Sequence, residues 1–143
     1  MIKDIERADM PALALLYKAF WNEDSNVEKM YNQFDRLCTN SAYIFLGCFD
    51  DNKKLIGTVM GIICEELYGD CNPFMVLENM VVNTNMQGLG IGRQLIAELE
   101  KHAVLHECSQ IILVTEKARI DACAFYESVG FSKENAGYKK KLS

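Results

Sequence analysis

The chain has 143 residues, of which 50% are hydrophobic and 24% charged, a composition typical of a soluble globular protein. Its formal net charge is −5 and its basic cluster is confined to Lys139, Lys140 and Lys141, which argues against nucleic acid as a main partner. No apolar run is long enough to span a bilayer and the charged N-terminus is unlike a signal peptide, so we expect a cytoplasmic protein with no membrane partner. Without repeats or linkers, residues 1–143 are predicted to form a single domain.

The N-terminal third predicts one short strand followed by two amphipathic helices. "MIKDIE" favours the strand, and Asp9 is the expected N-cap of the first helix. Ser25 and Glu28 have the spacing of a capping box for the second helix. The apolar faces of the two helices share the helical period and comprise Leu13, Leu16, Tyr17 and Phe20 in the first and Val27, Met30, Tyr31, Phe34 and Leu37 in the second.

The remainder of the chain predicts strands and two further helices. The runs "SAYIFLGCF" and "KLIGTVMGIICEEL" are separated by a hairpin signal, and "FMVLENMVV" is a third strand. A helix follows with Ile91, Leu95, Leu99 and Ala103 on one face. Next come a strand "IILVTE", a helix capped by Asp121 and ended at Gly130, and two terminal strands "GFSKE" and "GYKKKL". The order β-α-α-β-β-β-α-β-α-β-β indicates an α+β domain with a mixed sheet.

Three glycines, Gly88, Gly90 and Gly92, open the longest helix in "MQGLGIGRQ", where they cost backbone entropy. A helix N-terminus with such glycines suits a phosphate, which the backbone can approach closely, although a ligand-free strand-to-helix turn is an equal alternative. The spacing fits neither the dinucleotide fingerprint nor the Walker A loop. These residues alone therefore leave the ligand open.

The spacing Gln87-x-x-Gly90-x-Gly92 resembles the acetyl-CoA signature of the GNAT superfamily of N-acetyltransferases. "LENMVV" resembles that family's central strand, and "ACAFYESVGF" resembles its A-x-x-F-Y-x-x-x-G-F segment. The resemblance implies a mostly antiparallel mixed sheet of about six to seven strands, about four flanking helices and a splayed cofactor cleft. It also implies transfer of an acetyl group from acetyl-CoA to a primary amine by direct attack in a ternary complex.

The same resemblance implies which residues hold the cofactor. Backbone groups of a bulged central strand would bind the pantetheine arm, and the glycine turn would wrap the pyrophosphate with Arg93 adding charge nearby. Arg119 stands where many members have an asparagine that helps hold the cofactor. Either that polar contact to the cofactor is missing here, or Arg119 replaces it by approaching a CoA phosphate. The expected cofactor-binding residues are Met80, Val81, Val82, Gln87, Gly88, Leu89, Gly90, Ile91, Gly92, Arg93, Arg119 and Tyr126.

Acetyl transfer requires a base for the amine, a polarised carbonyl and an acid for the leaving thiolate. Tyr126 matches the family tyrosine that lies beside the thioester sulfur of the cofactor, and it is the predicted general acid. The alternative is a tyrosine whose ring only packs in the core. Glu78, a carboxylate within an apolar strand, is the predicted base, with a structural or substrate-orienting role as the alternative. Glu65 and Glu66 are alternative bases. A backbone N–H near Met80 is the expected oxyanion donor.

The acceptor is expected at the segment between the first two helices, where Trp21 and Glu23, together with Glu78, are the predicted substrate-binding residues. The acceptor is predicted to be a small amine; a protein amino group or a non-catalytic CoA-binding module are the alternatives. No metal site is predicted, since His102 and His106 lack the H-E-x-x-H pattern. A homodimer is common in the family and is possible here.

Overall fold

The computed structural model describes residues 1–143, which form two compact units, Met1–Ile112 and Leu113–Ser143. The single-domain assignment stays a prediction. The first unit contains five strands and three helices, and the second contains one helix. The elements are β1 (Ile2–Asp4), α1 (Met10–Trp21), α2 (Val27–Leu37), β2 (Tyr43–Phe49), β3 (Leu55–Cys64), β4 (Phe74–Val82), α3 (Ile91–Leu105), β5 (Ile111–Ile112) and α4 (Ile120–Ser128).

The five strands form one sheet in the order β1-β2-β3-β4-β5. The first four strands pair antiparallel and β5 pairs parallel to β4. The predicted mixed α+β fold is confirmed, with five strands rather than six to seven. None of the helices combines the length and apolar content that crossing a bilayer requires.

Helix α3 covers one face of the sheet very closely. Its residues Leu95 and Leu99 are 0% exposed. A Cβ added at Gly61 of β3 would lie only 2.7 Å from Leu99 Cδ1, so glycine at this position allows the helix to approach the strand. The predicted face of α3 is confirmed.

The opposite face of the sheet carries α1, which contributes Met10, Leu13 and Leu16 to a second hydrophobic cluster. Tyr17 packs against this cluster, and burial raises the pKa of its phenol to about 12. Its phenol therefore stays protonated to a higher pH than the phenol of an exposed tyrosine. Phe34 of α2 packs against the same cluster, so both predicted helix faces point to the sheet.

The cap of α2 differs from the sequence prediction. Asn26, not Ser25, is the N-cap, and its Oδ1 accepts a hydrogen bond of 3.0 Å from the Lys29 backbone N–H. A capping side chain must reach the third helical N–H, and the helix begins one residue later than the Ser25 spacing assumed. Asp121 is likewise not a cap, because it lies within the first turn of α4, whose N-cap is Arg119.

We expect Asn26→Ala to lower the free energy of unfolding by about 1 kcal/mol, because it leaves a helix N–H without its side-chain acceptor. Chemical denaturation measures the change. Ser25→Ala is the matched control one residue earlier and should cost a smaller amount. Equal losses in the two variants would contradict the assignment of the cap to Asn26.

In the second unit, Gly130 stops α4 as predicted, directly after the C-cap Val129. Gly130 has a φ of 101°, and its N–H donates to the Glu127 carbonyl while the Phe131 N–H donates to the Tyr126 carbonyl. This pair of bonds is the Schellman motif, which requires a left-handed residue. The two predicted terminal strands were wrong: residues 131–143 form no strand. A strand needs a paired neighbour, and Tyr138 is 92% exposed.

Candidate active site

Strand β4 contains a β-bulge at Asn79 and Met80. Its register with β3 shifts so that Glu78 pairs with Met60, whereas Val81 pairs with Thr58. Asn79 adopts a left-handed φ of 50°, a conformation that asparagine tolerates better than most residues. The bulge was implied by the family resemblance, and the structure places it in "LENMVV".

The bulge changes which face of the sheet the β4 side chains occupy. Leu77 pairs with Gly61, which faces α3, whereas Val81 belongs to the cluster that contains Leu13 of α1. In a regular strand, residues four apart share one face. Because of the extra residue in the bulge, Val81 packs on the α1 side of the sheet, whereas Leu77 packs on the α3 side.

One edge of β4 lacks a strand neighbour over most of its length. Pairing with β5 is limited to Met75 with Ile111 and Val76 with Ile112, while β4 continues to Val82. At the far end, the Asn83 N–H donates to the Ile56 carbonyl of β3. Alternation directs the Val82 backbone to the other edge, and an edge without a strand neighbour is where an extended ligand arm can pair with a strand.

The glycine turn follows directly from this open edge. Gln87 Nε2 donates a hydrogen bond of 3.4 Å to the Val82 carbonyl, so the first signature residue ties the turn to β4. Gly88 and Gly90 have φ angles of 80° and 82°. A Cβ at either position would meet no protein atom within 4 Å. The glycines are thus required for backbone conformation and leave open space above the turn.

Helix α3 begins in this turn, with Gly90 as a left-handed N-cap that has no side-chain cap. The Gln94 N–H donates to the Gly90 carbonyl, so the earlier N–H groups, such as those of Ile91 and Gly92, point out of the helix start. Ile91 itself is buried against β3, which limits its ligand contacts to the backbone. Arg93 is exposed on the first turn and Leu89 is 63% exposed. The turn therefore fits a phosphate group.

Glu78 lies on the sheet face opposite α3, just before the bulge. Its carboxylate is exposed and takes part in none of the ion pairs of the structure. Cross-strand register places Glu78 beside Met60 and Met60 beside Phe45, so these three side chains form a row across β4, β3 and β2. No local motif in the sequence points to Met60 or Phe45, because their place in the row with Glu78 depends on the register of strand pairing.

The predicted acceptor residues Trp21 and Glu23 lie at the end of α1 and in the connection to α2. The Trp21 ring is 5.3 Å from both the Tyr17 and Phe20 rings, and Trp21 remains 42% exposed. Glu23 is exposed beside Asp24, which forms an ion pair of 3.1 Å with Lys18. An acidic, partly aromatic surface exists at this helix end.

The second unit carries the remaining predicted residues. Tyr126 lies in α4 and is half-buried, with its ring 5.3 Å from Phe125 and 5.7 Å from Phe131. Arg119 is exposed at the N-cap of the same helix, where its carbonyl accepts from the Cys123 N–H at 3.0 Å. The helix thus presents both residues on a rigid element.

No group of three or more His, Cys, Asp or Glu side chains is arranged to hold a metal ion. His106 Nδ1 lies 2.8 Å from the His102 carbonyl, an interaction at the end of α3. Cationic or polar side chains at a helix C-terminus satisfy its last carbonyl groups.

Comparison with known proteins identifies the family. The model of the Acetyltransferase (GNAT) family matches residues 10–131 of the chain. Human N-acetylaspartate synthetase is 32% identical over 77 residues, which is 54% of this chain and 25% of that protein. The rat protein of the same name gives the same values. The match therefore spans only a quarter of the length of these curated relatives.

Solved structures share the fold over the whole chain. A protein of Agrobacterium tumefaciens with an acetyltransferase assignment superposes with a TM-score of 0.91, at 22% identity and 99% coverage of both chains. Glucosamine-6-phosphate N-acetyltransferase from Arabidopsis thaliana gives a TM-score of 0.86 at 17% identity, covering 100% of this chain and 98% of that one. Identities this low establish the fold and leave the acceptor undefined.

The class of protein that the fold and the family model define is a GNAT-type acetyltransferase domain. The chain belongs to the Acetyltransferase (GNAT) family.

Proposed function

We propose that this chain transfers an acetyl group from acetyl-CoA to the primary amine of a small molecule. The observation that carries the proposal is the continuity of the open β4 edge with the glycine turn and the start of α3. Extended backbone followed by a helix N-terminus suits a ligand with a long polar arm and a pyrophosphate.

In this proposal the cofactor is held mainly by backbone groups. The edge from Met80 through Val81 to Val82 binds the pantetheine arm, and the turn from Gln87 to Gly92 binds the pyrophosphate. Arg93 and Arg119 supply positive charge to the phosphates. The open space at Gly88 and Gly90 supports this arrangement, because no side chain of the protein fills it.

Acetyl-CoA supplies an activated thioester, and the chain supplies proton transfer and charge stabilisation. Glu78 takes the proton from the acceptor amine, directly or through a water molecule. The Met80 backbone N–H donates a hydrogen bond to the carbonyl oxygen as negative charge develops there. Tyr126 donates its phenolic proton to the departing thiolate. The amine attacks the acyl carbon directly, so no acyl-enzyme intermediate is required.

Trp21 and Glu23 complete the acceptor site in this proposal. Trp21 stacks on the acceptor and Glu23 attracts its positive charge.

The protein acts in the cytoplasm, as a homodimer in common with other members of the family. The curated relatives are named for N-acetylaspartate, so aspartate belongs among the acceptors to be tested. An acceptor amino group on a protein or peptide is the alternative within the same enzyme class.

The melting temperature with and without acetyl-CoA tests the cofactor assignment. At about 100 times its dissociation constant, the ligand should add roughly 2.7 kcal/mol to the free energy of unfolding. NADH and ATP serve as controls and should not produce the same shift. No shift with acetyl-CoA would overturn the proposal.

Release of free CoA in the presence of amines then tests catalysis. A thiol reagent detects the product, and mass spectrometry identifies the acetylated amine. Acetyl-CoA binding without transfer to any small amine or peptide would instead support a non-catalytic CoA-binding module.

A further inference from the structure

The face of the sheet that carries Glu78 has an unusual distribution of charge. Strands β2, β3 and β4 contain no lysine or arginine, and Glu78 is their only charged residue. Its carboxylate is exposed and lies outside the ion pairs of the structure. A cation that reaches this face meets one negative charge with no competing positive charge from the strands.

The neighbours of Glu78 on this face are apolar and partly accessible. Met60 stands next to it in the cross-strand row and Phe45 stands beyond Met60, and neither is fully buried. The Phe45 ring is nearly parallel to that of Tyr43, at 20° and 6.2 Å between centroids, and Phe34 of α2 contacts Phe45 at 5.9 Å. Together with Met60, these rings form an apolar surface on the same sheet face as the carboxylate.

We propose that the acceptor is a primary amine carried on an aromatic or similarly flat apolar group, with no carboxylate near the amine. This inference rests on the proposed function and narrows its substrate class. Glu78 attracts the ammonium group before it takes a proton from it, while Met60 and Phe45 bury the apolar part. An acidic amino acid finds no basic partner on these strands, and its carboxylate is repelled by Glu78.

A matched set of acceptors tests each part of this inference on the full chain with acetyl-CoA. Ethylamine and 2-phenylethylamine differ in the ring alone, and phenylalaninamide and phenylalanine differ in the carboxylate. We expect kcat/KM to be at least tenfold higher for 2-phenylethylamine than for ethylamine, and for phenylalaninamide than for phenylalanine. Aspartate and a lysine-containing peptide complete the panel.

The variant Phe45→Leu tests the residue assignment. It should lower the ratio of kcat/KM for 2-phenylethylamine to kcat/KM for ethylamine by threefold or more. Phe49→Leu, which alters a buried phenylalanine of the same strand, is the control and should keep the preference.

Equal kcat/KM values for ethylamine and 2-phenylethylamine would overturn the inference and leave the proposed function intact. A higher kcat/KM for aspartate or phenylalanine than for phenylalaninamide would do the same. Failure of every amine despite an acetyl-CoA melting shift would remove the proposed function, and the acceptor assignment with it. The two failures are therefore distinguishable.

Discussion

Replacing Tyr126 by phenylalanine is expected to lower kcat by about 100-fold or more, in the range that general acid catalysis contributes. The phenolic proton would no longer be available to the departing thiolate. Steady-state release of CoA with the best amine of the panel measures the change. Because phenylalanine retains the ring, the packing against Phe125 and Phe131 should survive.

The control variant for this substitution is Tyr138→Phe, which removes a hydroxyl from a side chain that is 92% exposed. It should retain full activity. The acetyl-CoA melting shift should remain in the Tyr126 variant, since the acid role concerns the reaction and not ground-state binding. A kcat within about threefold of the native value would exclude the acid role.

Replacing Gly90 by leucine is expected to weaken acetyl-CoA binding by at least tenfold, which corresponds to about 1.4 kcal/mol. The added side chain would enter the open space over the turn, where the pyrophosphate is proposed to lie. The left-handed backbone at φ 82° would also be strained, at a cost of about 1 to 2 kcal/mol. Isothermal titration gives the dissociation constant.

Gly69→Leu separates these two effects. Gly69 also has a positive φ, of 59°, and also has no atom within 4 Å of an added Cβ, but it lies in the loop between β3 and β4. Both variants should lose a similar amount of unfolding free energy, and only the Gly90 variant should lose affinity. Undiminished affinity in Gly90→Leu would mean that the glycine turn is a structural corner.

Much of the fold was predictable from local patterns. The faces of α1 and α3 follow the helical period, and the strands β2 to β4 are β-branched and aromatic runs. The errors concern one helix boundary and the two C-terminal runs. Asn26 rather than Ser25 caps α2, and the C-terminal runs "GFSKE" and "GYKKKL" have strand composition without a strand. Composition does not supply the neighbouring strand that pairing requires.

The candidate site also has one part that was predictable from the sequence and one part that was not. The glycine turn was predictable because Gly88 and Gly90 need conformations that other residues rarely adopt. The surroundings of Glu78 were not, because Phe45 and Met60 reach it through the register of three strands. The roles of Tyr126 and Glu78 in catalysis stay predictions until the variants are assayed.

Around β4, the cofactor and the acceptor are proposed to be recognised by different parts of the chain. Most of the proposed cofactor contacts come from main-chain atoms of β4 and the turn, whereas the proposed acceptor contacts, among them those of Met60 and Phe45, come from side chains. A main-chain contact survives most point mutations, but a side-chain contact changes with each of them. Selection can therefore alter the acceptor through single substitutions at Phe45 or Met60 while the donor stays the same, and acceptor identity should diverge faster than fold among relatives of this chain.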